Sequence, residues 1–238
     1  MMKPTKKGVT TIPLSDNELM QIQAETLYVL NDNKIISINE PQQQTNTPLL
    51  FLGKTRTTTF KYFNTAIPQS LIEEVNQLLQ QDLNIVLLCN TLSTYKTPEN
   101  IWIGPAYSIP ELDFPIEDKG IQIITESNRH YLTPYFNNVN EEYEYRSPVI
   151  AFVDQGHAVS VCCSARKSDK AIEASLYTIE AYRGKGIAAR LVAYWSTYIR
   201  NLGYIPLYST SWDNLHSQGV AQKLGFIQYG VDFSISGK

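Results

Sequence analysis

The spacing of apolar positions changes repeatedly along the chain, and each change marks a new element. Ser15-Asp-Asn-Glu18 has the form of a capping box, and Leu19, Ile22, Leu27 and Leu30 follow at roughly helical spacing. Lys34–Ile38 and Leu49–Leu52 read as strands, and 55–63 (TRTTTFKYF) is β-branched and aromatic, which favours extended chain. A second capping box, Ser70-Leu-Ile-Glu73, is expected to open a helix with Leu71, Val75, Leu78 and Leu79 on one side. The short apolar run Ile85–Cys89 predicts a buried strand, and Trp102 with Gly104-Pro105 predicts turn-rich chain. Glu111–Asp118, acidic with a proline, is expected as a boundary.

The remainder is more regular. Ile121–Thr125 reads as a strand, Asn128–Phe136 as a helix broken at Pro134, and Asn137–Tyr145 as an acidic loop. Pro148–Val153 and His157–Ser164 predict a hairpin around Asp154-Gln155-Gly156, and Ala171–Thr178 a third strand. A long helix is expected over about Lys185 to Leu202, with Ile187, Leu191, Tyr194, Trp195, Tyr198 and Leu202 at a 3.6 period and Gly203 closing it. Ile205–Ser209 predicts a strand, Asn214 a cap on a short helix ending at Leu224, and Phe226–Ser234 the last strand.

Composition then narrows the class. The 238 residues are enough for one large domain or two small ones. Only 18% are charged, and polarity comes instead from residues such as the 16 Asn and 14 Gln; the 39–47 stretch, with Gln42–Gln44, predicts a flexible loop. A net charge of −3 argues against a general nucleic-acid or membrane-surface binder. No apolar run approaches the ~20 residues of a membrane span, and Met1–Pro13 has no apolar stretch behind its lysines, so no membrane segment and no secretory signal are expected. Three cysteines, with Cys162 and Cys163 adjacent, suit a reduced, cytoplasmic protein without a structural disulfide. No Cys/His cluster has metal-ligand spacing, so no metal is expected.

One segment carries chemistry. From Leu176 to Ala189 the chain reads as a strand, a basic turn holding Gly184 and Gly186, and a helix amino end. Backbone N–H groups at a helix start lack intrahelical partners and lie at the positive end of the dipole, which suits phosphate. Glycine lets a ligand approach such a turn closely. Residues 159–200 hold seven basic and three acidic side chains, against a chain that is acidic overall. A Walker A loop is absent. Gly184-Lys-Gly186-Ile-Ala-Ala189 satisfies G-x-G-x-x-A, but a dinucleotide site needs an acidic residue about 20 positions on. None lies between Ala181 and Trp212.

Arg183-x-x-Gly186-x-Ala188 resembles the Arg/Gln-x-x-Gly-x-Gly/Ala signature of the GNAT superfamily of N-acetyltransferases. The strand Leu176-Tyr177-Thr178 before it and Asn214-x-x-Ser217-x-x-x-Ala221-x-Lys223-Leu224-Gly225-Phe226 after it resemble the same family, in the same order. Segments around Cys162–Arg166, Glu173-Ala174 and Pro206–Asn214 resemble a bacterial subgroup of undefined substrate with an extra amino-terminal region. The resemblance implies an α/β (α+β) fold, with a mixed, mostly antiparallel central sheet flanked by helices. Residues 1–118 would be an amino-terminal α/β extension and 119–238 the acetyltransferase core.

It also implies acetyl-CoA as acyl donor and direct attack of a primary amine on the thioester. The acceptor would be a small molecule or a protein amino group. Leu176, Tyr177 and Thr178 would hold the pantetheine by strand-like bonds, and a backbone N–H near Thr178 would stabilise the oxyanion. Arg183, Gly184, Lys185, Gly186, Ile187, Ala188 and Ala189 would hold the pyrophosphate, with Asn214 and Ser217 beside the cofactor. The chain departs from the family at Ala221, where many members carry the tyrosine that protonates the thiolate. Tyr208, or a water, is the candidate acid in its place, and Glu173 the candidate base, although its strand parity sets it opposite Thr178. His130, His157 and His216 are further candidates by residue type alone, and Glu141, Glu142 and Glu144 could attract an amine. The same substitution leaves room for a non-catalytic acyl-CoA-binding module.

Overall fold

A computed structural model describes residues 14–41, 47–112 and 120–238. The Met1–Pro13 lysine-bearing stretch, Gln42–Gln44 and most of the expected 111–118 boundary lie outside them. In chain order the elements are α1 (Asp16–Leu27), β1 (Tyr28–Asn31), β2 (Lys34–Ile38), β3 (Leu50–Lys54), β4 (Thr59–Asn64), α2 (Gln69–Leu78), α3 (Ile85–Leu92), β5 (Pro98–Ser108) and β6 (Ile121–Ile124). After a short 3-10 turn (Arg129–Leu132) come α4 (Asn137–Glu141), α5 (Tyr143–Arg146), β7 (Val149–Asp154), β8 (His157–Lys167) and β9 (Ala171–Thr178). The chain ends with α6 (Ile187–Asn201), β10 (Ile205–Ser209), α7 (Leu215–Lys223) and β11 (Ile227–Gly237).

Local chemistry explains most starts and stops. Ser15 and Glu18 form both bonds of the capping box, with the Ser15 N–H donating to the Glu18 carboxylate at 2.8 Å. The helix then ends at Leu27, earlier than the apolar spacing suggests. Leu30 belongs to β1, because β1 and β2 close a tight hairpin in which Asp32 takes a positive φ of 51°. The second capping box does not form: α2 starts at Gln69 behind Pro68, with no side-chain cap, though Leu71 and Val75 are buried as expected. Residues 85–92 are a helix, not a strand. The Asn84 side chain accepts the Leu87 N–H, and the i, i+3, i+4 set Leu88, Thr91 and Leu92 faces inward while Val86 is 71% exposed. The acidic 137–145 stretch is two short helices rather than a loop.

The strands make one sheet in the order β1-β2-β4-β3-β11-β5-β10-β9-β8-β7-β6, antiparallel except at β2–β4 and β9–β10. Helices α6 and α7 pack on one face around Trp195, Leu191 and Ile172, and α2 and α3 cover the amino-terminal part of that face through Leu71, Leu88 and Phe233. Helix α1 covers the other face with Phe51, Leu207 and Tyr229. Cys162 and Cys163 point to opposite faces, each into a different apolar cluster.

Trp102 and Gly104-Pro105 lie in a long central strand, not in turns. β5 pairs with β11 over Pro98–Ser108 and with β10 at Ala106–Ser108, so a strand from ahead of residue 118 fills the space between two strands from behind it. The sheet is therefore continuous across the expected boundary. Gly104 permits this: a Cβ there would lie 1.8 Å from the Thr210 carbonyl oxygen.

Candidate functional site

The site begins where two parallel strands part. β9 and β10 pair only at Ala171, Ile172 and Glu173, opposite Ile205, Pro206 and Leu207. Beyond Glu173, β9 continues to Thr178 on β8 alone, while β10 continues against β5. The backbone of 174–178 thus faces a gap instead of a neighbouring strand. The gap widens into a cleft of about 630 Å³.

The glycine turn closes one end of the cleft. Gly186 takes φ 73° and precedes α6 with no side-chain cap, so the first N–H groups of α6 stay available to a ligand. Arg183 Nε donates to the Thr178 carbonyl at 3.1 Å, which ties the turn to the end of β9. The Tyr182 hydroxyl donates to Asp154 and anchors the turn to the β7–β8 hairpin, where the carboxylate raises the hydroxyl's pKa. Lys185 Nζ lies 4.4 Å from the centre of the Tyr182 ring. The glycine turn opens a β9–α6–β10 crossover, the arrangement a dinucleotide site would need, but Ser209 and Thr210 stand at the end of β10 where that site requires an acid.

Helix α7 forms the opposite wall. Asn214 caps it, its side chain accepting the Ser217 N–H at 3.1 Å. Ser217 Oγ in turn shares a 2.6 Å hydrogen bond with the Tyr208 hydroxyl. The Tyr208 ring is fixed edge-on to Phe226, with centroids 5.2 Å apart, and burial pushes its hydroxyl up to about 12. Ala221 is fully buried in the same cluster as Tyr208.

Leu176, Tyr177, Thr178, Arg183, Gly184, Gly186, Ile187, Ala188, Ala189, Tyr208, Asn214 and Ser217 all line this one cleft. Lys185 projects over Tyr182 instead of the cleft wall. Glu173 does not line the cleft either. It points to the α1 face, is 5% exposed, and burial raises its carboxyl pKa. The side chain of Glu173 thus lies on the face opposite Thr178, as its strand parity implies, and the cleft lining on this strand begins at Ala174. His216 lines the cleft, whereas His130 packs on Tyr131 and His157 on Tyr135. Glu141, Glu142 and Glu144 border a separate surface hollow with Arg129 and Arg146. Burial raises the pKa of both Cys162 and Cys163, the latter to about 11, which suits packed thiols rather than nucleophiles.

Sequence reasoning missed Lys223, whose Nζ stands beside Gly186, and the far wall of Trp102, Ser209 and Thr210. A last-turn lysine four residues after a glycine carries no signal by itself. Trp102 reaches the cleft only because β5 is inserted beside β10. Among the described residues, no group of three or more His, Cys, Asp and Glu side chains is placed to hold a metal, and no helix is long and apolar enough to cross a membrane.

A splayed parallel pair with a glycine turn and a capped second helix is the arrangement that the GNAT resemblance of the sequence implies. A family model of GNAT acetyltransferases matches residues 114–230, just under half of the chain, which supports a GNAT acetyltransferase domain there. The chain is 29% identical over 111 residues to the uncharacterized N-acetyltransferase YdfB of Bacillus subtilis, a match covering 47% of this chain and 42% of that protein. Two solved structures share the fold. A GCN5-related N-acetyltransferase-like protein from Streptococcus suis is 16% identical, covering 81% of this chain and 85% of its own, with a TM-score of 0.51. A GNAT-family acetyltransferase from Novosphingobium aromaticivorans is 17% identical, covering 60% and 67%, also with a TM-score of 0.51.

Proposed function

We propose that the protein transfers an acetyl group from acetyl-CoA to a primary amine. The observation that carries this reading is the parting of β9 from β10 beside the glycine turn, inside a GNAT domain. A pantetheine arm is a chain of amides and needs backbone partners, which the unpaired 174–178 edge supplies. A pyrophosphate needs N–H groups and positive charge, which the start of α6 supplies together with Lys223. Lys185 and Arg183 add charge at the rim.

Acetyl-CoA supplies the activated thioester. The chain's own residues would do the rest. Leu176 to Thr178 would align the donor, and an N–H near Thr178 would meet the oxyanion. Tyr208, held by Ser217, would give its proton to the leaving sulfur. Ala221 lacks the hydroxyl that many GNAT members place on α7, and Tyr208 brings one from the neighbouring strand into the same cluster. The acceptor would enter from the Trp102, Ser209 and Thr210 side, between the amino-terminal extension, residues 1–118, and the core, 119–238.

Calorimetric titration with acetyl-CoA, beside NAD and ATP, tests the donor, and amine-dependent release of the CoA thiol tests the transfer. Acetyl-CoA binding alone, with thiol release, supports the reading. Binding without release to any amine would leave an acyl-CoA-binding module. No binding would leave the turn a structural feature.

A further inference from the structure

Ser209 joins the cleft to a buried polar network. The last parallel pair of β9 with β10 is Glu173 with Leu207, and Ser209 lies two residues on, so its side chain returns to the face that Glu173 occupies. Ser209 Oγ donates to Glu173 Oε1. The same oxygen accepts from Gln23 Nε2 of α1 at 3.2 Å, and that nitrogen also donates to Asp232 Oδ2 at 2.9 Å. The Tyr229 hydroxyl donates to Gln23 Oε1 at 2.8 Å, which fixes the way the amide faces. Gln23, Glu173, Tyr229 and Asp232 are buried, whereas Ser209 lines the cleft.

A hydroxyl whose single proton is committed to a carboxylate can only accept from the other side. Toward the cleft, Ser209 therefore offers lone pairs backed by a carboxylate, which suits an N–H donor carrying positive charge. We propose that Ser209 contacts the ammonium group of the acceptor and passes its proton to Glu173, so that Glu173 acts as the base through Ser209. The ammonium N–H bond breaks as a bond to Ser209 Oγ forms, and the proton of Oγ moves to Glu173 Oε1. A neutral amine and a carboxylic acid result, so the two opposite charges cancel and the net charge is unchanged. After the product leaves, the proton returns through Ser209 to solvent. Gln23, clamped by Tyr229, is a positioning residue that holds Glu173 toward Ser209. The proposal rests on the acetyl-transfer reading and names its acceptor class: amines that are cationic in solution.

Among the described residues, the charged and titratable groups facing Glu173 are Arg166 across the β8–β9 pair, Asp232 and Tyr229 on β11, and Tyr28 at the start of β1. The full chain and the variants S209A, S209T, E173Q and S209A/E173Q are compared. The assay uses acetyl-CoA with whichever of spermidine, lysine and phenethylamine the wild type acetylates fastest. We expect S209A and E173Q each to lower kcat by about a hundredfold, the double variant to lose no more than either, and S209T to recover most of the rate. The acid limb of the pH–rate profile should vanish in E173Q. Acetyl-CoA affinity should hold within about threefold throughout.

A second readout needs no amine. In the infrared spectrum, the Glu173 carboxyl band, identified by its loss in E173Q, should shift in S209A. Unchanged kcat in S209A, losses that multiply in the double variant, or a Glu173 band indifferent to S209A would each overturn the relay. Loss of acetyl-CoA binding by the wild type would overturn the acetyl-transfer reading instead, and the infrared shift would still report on the Ser209–Glu173 pair.

Discussion

Lys223 at the end of α7 stands against Gly186 at the start of α6, so that a Cβ on Gly186 would lie 3.1 Å from the Lys223 ammonium. Two helices thus present backbone donors and a side-chain cation to one point. Gly186→Glu should abolish acetyl-CoA binding, because its side chain fills the turn and pairs with Lys223, and a residue with a side chain at φ 73° adds about 1–2 kcal/mol of strain. Lys223→Ala should fold normally and weaken acetyl-CoA about tenfold, with a shallower salt dependence than the wild type. Calorimetry at two ionic strengths measures both. A Gly186→Glu protein that is folded and still binds would show that the donor lies elsewhere.

Tyr208→Phe removes the hydroxyl and keeps the ring against Phe226. Acetyl-CoA affinity should stay close to wild type while kcat falls by about a hundredfold. Because burial holds the Tyr208 hydroxyl up to about 12, the acid form persists throughout the neutral range. The wild-type rate should therefore show no alkaline decline from this residue below about pH 10. Equal kcat values for the variant and the wild type would remove Tyr208 from the chemistry.

Asp232 is buried, and among the described residues no cation is paired with it. Burial, and then the nearby Glu173 carboxylate, lift its pKa from 3.8 to about 8. Its folded state holds the proton more tightly than the unfolded chain does. Its contribution is therefore fully present below the unfolded value and is lost as pH rises toward about 8. Asp232→Asn, neutral at every pH, should gain stability relative to wild type across that interval, by an amount on the order of a few kcal/mol at the alkaline end. Melting temperatures at pH 5, 7 and 9 test the sign (~2 units apart, wide enough to span the transition). A gap between the two proteins that stays constant or narrows with pH would contradict it.

Gly104 and Gly219 make a matched pair. A Cβ at Gly104 meets the Thr210 carbonyl oxygen and the Ser211 Cα of the neighbouring chain, whereas one at Gly219 meets nothing within 4 Å. Gly104→Ala should destabilise by about 1–3 kcal/mol, since backbone must move. Gly219→Ala, inside α7, should stabilise by about 0.5–1 kcal/mol. Thermal unfolding reads both, and a Gly104→Ala melting point equal to wild type would mean that β5 does not hold Thr210 closely.

The sequence alone determined the features that are written locally. The Ser15 cap, the 155–156 turn, the amphipathic α6 and the Asn214 cap depend on residues within one or two turns of each other, and each formed where the pattern placed it. The 183–189 turn was legible for the same reason, since its chemistry is backbone chemistry held in a single glycine-containing segment. Short segments were not: the apolar run 85–89 fits a strand or a buried helix face equally well, and Asn84 with the wider core decided for the helix. Only the tertiary structure could set β5 between β10 and β11, bring Trp102 to the cleft, place Lys223 on Gly186, and turn Glu173 away from the cleft yet link it back through Ser209. The physical reason is distance along the chain: Gln23, Glu173, Ser209 and Asp232 are far apart in sequence and meet only because the sheet stacks their strands under α1.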